Sequence, residues 1–176
     1  LVESIDGIFW EAQADTVQFT FVSPQSIDIL GYTPDEWYSS PQFWPDHIHP
    51  QDKDFALGFC ANEVKMGRYH QFEYRMISKD GRSVWLNDIV SVVKREGKPP
   101  LLRGFMTDIT RRKEAEIELQ NSRGRLENIM EQSLDVVSIV DANGKFLEIG
   151  ASSKRLFGYT PEELRGRQFI RSEERR

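Results

Sequence analysis

The order of apolar and polar positions divides this chain into a strand-rich body and a charged helix. Leu101 to Ile109 is a run of strand formers, and Thr110 to Gln120 follows at once as a run of strong helix formers. A strand that feeds a helix directly is a lever, because a change in the sheet must move the helix. Along that helix Ala115, Leu119, Ser122, Leu126 and Ile129 are spaced 4, 3, 4 and 3 residues apart, the seam of a heptad repeat, with mostly charged and amide residues between them. The spacing predicts a homodimer through this linker helix. The alternative is an amphipathic helix folded back on its own domain. Gly124 lies inside the pattern at a cost of roughly 1 kcal/mol relative to Ala and predicts a point of fraying or bending.

Upstream, Ile5 to Trp10 and Val17 to Val22 predict a hairpin, and Ser23 to Leu30 a short helix ended by Gly31 in a left-handed conformation. Thr33-Pro-Asp-Glu36 predicts a helix start: Thr33 caps, Pro34 suits the first turn and Glu36 completes a capping box. A third helix is expected from about Gln51 to Met66, with Phe55, Phe59 and Val64 on its apolar side. Three strands follow. Gln71 to Ile77 alternates, with Phe72, Tyr74 and Met76 on one face and Glu73 and Arg75 on the other. Lys79-Asp80-Gly81 predicts a tight Asp-Gly hairpin turn, Val84 to Val93 the next strand, and Glu96 to Pro100 the turn into the last. The order β-β-α-α-α-β-β-β implies an α+β domain, one antiparallel sheet with helices on one face.

After the helix the beginning returns. Ser4-Ile-Asp-Gly-Ile matches Ser133-Leu-Asp-Val-Val, and Gly31-Tyr-Thr-Pro-Asp-Glu36 matches Gly158-Tyr-Thr-Pro-Glu-Glu163. A tandem array is implied, its second copy carrying a tight Asn143-Gly144 turn and stopping short of its later strands. The expected division is 1–110 for a first domain, 111–132 for the linker helix and 133–176 for the first part of a second domain.

Composition narrows the function. With 39% hydrophobic and 29% charged residues the chain reads as soluble, and no apolar run reaches the roughly 18 to 20 residues that span a bilayer, so no membrane contact is expected of this segment. A net charge of −5 argues against nucleic acid as a partner. The single Cys60 excludes an intrachain disulfide and a multi-cysteine metal site, which suits the cytoplasm. A first residue other than Met predicts a segment of a longer protein. There is no phosphate loop, nucleophile elbow or zinc-binding His-Glu-x-x-His pattern, and Asp52 with Asp54 suits the start of a helix without catalysis, so no catalytic residue and no metal site is expected.

The quoted pieces, Gly31 to Glu36, His49-Pro-Gln-Asp52, Tyr74-Arg75, Lys79-Asp-Gly81, Trp85, Gly104 and Asp108-Ile-Thr110, stand in the order of the PAS sensor family with its carboxyl-terminal PAC motif, and residues 1 to about 115 resemble it. The resemblance implies a PAS fold: a five-stranded antiparallel sheet over a pocket, a long linker helix, dimerisation through flanking helices, and signal transmission through Asp108, Ile109 and Thr110. It also implies a regulatory, non-catalytic segment of a bacterial signalling protein, flanked by further PAS and output domains. A sensor histidine kinase is the expected parent, with a diguanylate cyclase or phosphodiesterase, or a ligand-free protein-interaction domain, as alternatives.

The residues test the family's cofactors. Cys60 lies in Gly-Phe-Cys-Ala-Asn, not in the Asn-Cys-Arg context of the light-sensing flavin members, and Met76, Leu86 and Met106 stand where those members place amides. A light-sensing flavin site is not expected, nor is haem, since His47, His49 and His70 flank the long helix without lying on it. The stripe Phe59, Phe72, Tyr74, Met76, Leu86 and Met106 is the candidate ligand pocket, or else a filled core. Trp85 and Ile89 alternate onto the other face as candidate contacts for a flanking helix or partner.

Overall fold

The structure, a computed structural model, describes residues 6–132 and 135–168. Ser4, Ile5, Ser133 and Leu134 of the expected repeat lie outside them, as does 169–176. The chain forms two compact units, 1–114 and 115–176.

In the first unit a hairpin, β1 (Ile8–Gln13) and β2 (Phe19–Val22), precedes four short to medium helices, α1 (Gln25–Leu30), α2 (Pro34–Tyr38), α3 (Phe43–His47) and α4 (Lys53–Lys65). Three long strands close the sheet: β3 (His70–Ile77), β4 (Ser83–Arg95) and β5 (Lys98–Asp108). The sheet is antiparallel with order β2-β1-β5-β4-β3, so the first strand pairs with the last and β4 lies between β5 and β3. Strand alternation sets the core: Phe72, Tyr74 and Met76 of β3, Val84, Leu86, Asp88 and Val90 of β4, and Leu102 and Met106 of β5 are buried on one face. The helices cover that face with Trp37, Phe43, Trp44, Ala56 and Cys60.

Local sequence explains the helix ends. Gly31 takes φ +79° at the end of α1, where its N–H reaches Ile27 O at 2.9 Å. At the start of α2 the Thr33 backbone N–H donates to Glu36 Oε2 at 2.8 Å, the expected capping box.

Several expectations are corrected. A fourth helix, α3, stands ahead of the one expected from Gln51, because Pro45 inside it hides its helical pattern. Phe55 is 54% exposed rather than inward. The small residues Ala56 and Cys60 meet the sheet and allow α4 to approach it closely, while Phe55 stacks on Phe59 at its flank, 5.7 Å between centroids. The second strand begins at Phe19, since Val17 turns through a left-handed φ of +56°. The β3–β4 turn is wider than a two-residue Asp-Gly turn. Gly81 has φ +86° but Asp80 does not share the left-handed region, and the loop closes by Ser78 N donating to Arg82 O at 2.9 Å. Asp141 to Lys145 repeats this arrangement, with Gly144 alone left-handed at φ +74°. Finally, β5 takes in Lys98-Pro-Pro100, which was expected as turn; the ladder shifts register between Val93 and Arg95, and a bulge tolerates prolines that have no N–H to donate.

Helix α5 (Thr110–Gln132) runs unbroken through Gly124. The second unit holds β6 (Ser138–Val140), β7 (Phe146–Ile149), α6 (Ser152–Phe157) and α7 (Pro161–Leu164) around a small core of Phe146, Ile149 and Leu164. These four repeat the first four elements of the first unit in order: Gly158 has φ +80° after α6, and Thr160 and Glu163 form the same capping box, with Thr160 N donating to Glu163 Oε2 at 2.8 Å.

Candidate functional site

Under the helices of the first unit lies one connected set of buried polar groups. Asp88, 1% exposed, points inward from the middle of β4. Its Oδ1 accepts from Trp10 Nε1 at 3.1 Å, and its Oδ2 from the Tyr74 hydroxyl at 3.2 Å. The Tyr74 oxygen in turn accepts from Trp44 Nε1 at 2.9 Å and lies 4.0 Å from Met106 Sδ. Trp10 belongs to β1, two strands from Asp88, with β5 between. Its indole crosses over Gly104, its cross-strand partner, where an added Cβ would collide with the ring.

Burial dominates the electrostatics here. It raises the Asp88 carboxyl to about 7 against the hydrogen bonds from Trp10 and Tyr74, which favour the ionised form. Burial, helped by the Asp88 charge, raises the Cys60 thiol to about 12 and holds the Tyr74 hydroxyl well above its ordinary value. Beside these groups is a cavity of about 10 Å³, lined by Trp10, Phe19, Trp44, Cys60, Asp88 and Met106 among others. It has room for about one water.

Five of the six expected pocket residues share this face of the sheet and the sixth, Phe59, lies on α4, but only Met106 lines the cavity. Phe72, Tyr74, Met76 and Leu86 are buried in the core, and Phe59 is half-buried against Phe72, 5.4 Å between centroids. The three histidines stay apart. His47 stacks on Phe43, His49 Nδ1 accepts from Gln51 N, and buried His70 sits beside Phe59 and Phe72. Among the described residues no group of three His, Cys, Asp or Glu could hold a metal ion, and no helix is long and apolar enough to cross a membrane.

On the outer face β4 is tied to the start of α5. Trp85 N donates to Thr110 Oγ1 at 3.0 Å, Ile109 N donates to Trp85 O at 2.9 Å, and Asp108 Oδ1 accepts from Thr110 N at 2.8 Å. Both Arg112 and Lys113 pair with Glu73 of β3, Lys113 at 2.6 Å, and the two cations hold that carboxyl below its ordinary range. Half-buried Trp85 lies between Arg75 and Lys113, whose charged ends stand 5.1 and 5.4 Å from its ring centre. Arg75 then grips Asp52, at the head of α4, through two side-chain bonds of 2.8 and 2.6 Å. The seam residues Ala115, Leu119, Ser122, Leu126 and Ile129 are exposed, Leu119 at 72%.

A family model described as PAS fold matches residues 19–106, half of the chain, and a second of the same description matches 124–175. This chain belongs to the PAS family. The methyl sulfide methyltransferase-associated sensor of Methanosarcina acetivorans is 34% identical over 126 residues, 70% of this chain, which spans only 12% of that relative's length. Among solved structures, the N-terminal domain of a diguanylate cyclase with PAS/PAC sensor from Marinobacter aquaeolei is 32% identical, with a TM-score of 0.57 over 61% of this chain and 98% of that one. A sensory box histidine kinase/response regulator from Burkholderia thailandensis shares the fold at 23% identity, TM-score 0.59, over 72% and 95%.

Reading this PAS domain by sequence missed Asp88, Trp10 and Trp44. One signal was present: the alternation that sends Val84, Leu86 and Val90 inward also sends Asp88 inward, and a buried carboxyl needs donors.

Proposed function

We propose that this PAS segment is a sensory and dimerisation module of a larger signalling protein, itself without catalysis, which passes changes in its sheet to α5 through Asp108, Ile109 and Thr110. The observation that carries the reading is the double tether of Trp85. Both backbone groups of one β4 residue are bonded to Ile109 and Thr110, the last two residues of the exit, where the strand gives way to the helix. Glu73 fixes the next turn through Arg112 and Lys113. The exposed seam on α5 supports pairing with a second copy, since four or more apolar positions at heptad spacing are stabilised by a partner helix.

The output is a histidine kinase in this reading, acting in the cytoplasm within a two-component system; a diguanylate cyclase or phosphodiesterase is the alternative, and the names of the similar structures include both kinds. The small cavity favours a second reading, a domain with a filled core that works through its contacts with neighbouring PAS and output domains. Light scattering tests the module directly. The 176-residue chain is expected at twice its 20.5 kDa mass, and a Leu119→Lys, Leu126→Lys double variant at once that mass. A monomeric parent chain, or a double variant that stays dimeric, would remove the proposed seam.

A further inference from the structure

The cavity beside Asp88 admits about one water, so an organic ligand does not fit it as it stands. A proton does. None of the residues that line it is Lys, Arg or His, so no side-chain cation there compensates an ionised Asp88. The groups that face the carboxyl are Trp10 from β1, Phe19 from β2, Trp44 from α3, Cys60 from α4, Tyr74 from β3 and Met106 from β5. Of these only Cys60 and Tyr74 are titratable, and both hold their protons well above neutral pH.

We propose that Asp88 is a proton-binding site whose occupancy sets the hydrogen-bond pattern beneath β4. With Asp88 ionised, the Tyr74 hydroxyl donates to Oδ2. When one proton enters from solvent, the new carboxylic O–H donates to the Tyr74 oxygen, and the Tyr74 proton turns to its other neighbour, Met106 Sδ. One proton is bound, the hydrogen bonds rearrange, and no other covalent bond is made or broken. Trp10 keeps its donation to Oδ1 in both states. The carboxyl is raised to about 7, so both states are populated near neutrality. If the sensor reading above is right, on which this step rests, the signal is pH: Asp88 lies three residues along β4 from Trp85, which holds the exit.

The test is a carbon-13 titration of the aspartate carboxyls in the whole chain from pH 5 to 9. One resonance is expected to titrate near 7 and to be missing from Asp88→Asn. A spectrum in which every aspartate titrates below 5, or in which the Asp88 signal never moves, overturns the proposal without any variant having to fold. Tyr74→Phe removes the donor that favours the ionised form and is expected to raise the midpoint by about one unit; an unmoved or lowered midpoint counts against the pair. Amide exchange at Ile109 and Thr110 between pH 6 and 8, corrected for intrinsic rates, separates the two readings. Titration near 7 with unchanged exchange leaves the proton site standing and removes the sensor coupling.

Discussion

The indole N–H of Trp10 reaches Asp88 from two strands away, at 3.1 Å, because Gly104 on the strand between them has no side chain. Gly104 does not have a left-handed φ, so its backbone suits alanine, and the effect of Gly104→Ala comes from the collision with the ring. The variant is expected to lose about 1–3 kcal/mol in urea unfolding, as overpacking does, and to change the tryptophan emission. Trp10→Phe in the same chain should recover part of that loss, a coupling that a double-mutant cycle measures.

Asp88 makes stability fall with rising pH. Its folded value of about 7 lies above the unfolded carboxylate range, so its contribution is complete below that range and is lost as pH rises through about 7. The unfolding midpoint of the parent chain should decline between pH 5 and 7.5, and Asp88→Asn should flatten that decline. A parent chain with the same slope as the variant would show that Asp88 is not the group.

Asp52 works in the opposite sense. Arg75 holds its carboxyl below the ordinary value, so its contribution is present at neutral pH and fades as pH falls through the lowered folded value. Asp52→Asn should be less stable than the parent at pH 7, with the gap closing toward pH 3. Paired urea titrations at the two pH values measure it.

Thr110→Val keeps the shape of the side chain and removes the acceptor of the Trp85 N–H. A loss of about 1 kcal/mol is expected, with faster amide exchange at Trp85 than at residues of β1. Equal acceleration throughout the sheet would mean that the tether is no more than a general contribution to stability.

How far the sequence reaches can be followed residue by residue. Period-two alternation placed Phe72, Tyr74 and Met76 on one buried face, the family resemblance added Leu86 and Met106 to it, and local chemistry placed Gly31 and the Thr33–Glu36 box, whose residues lie a few positions apart. The Asp88 network depends on β5 lying between β1 and β4, with 78 residues of chain separating Trp10 from Asp88, and no local pattern carries that. Phe55 was misplaced for a related reason: helical spacing marks an apolar residue without saying that small Ala56 and Cys60 will be the ones to meet the sheet. The Asp80-Gly81 and Asn143-Gly144 turns showed where the chain reverses, but the number of left-handed residues in each follows from how the flanking strands pair.

The central claim is that β4 and the start of α5 move together. Leu86 is fully buried, follows Trp85 and pairs across the sheet with Asp108, so Leu86→Val disturbs the core next to the tether at a cost of about 1 kcal/mol. Residue-resolved amide exchange on this variant and its parent tests the claim most directly. The account predicts that exchange quickens at Ile109, Thr110 and Lys113 more than at β1 and β2. Unchanged exchange at those three amides, or the same acceleration everywhere in the first unit, would contradict it.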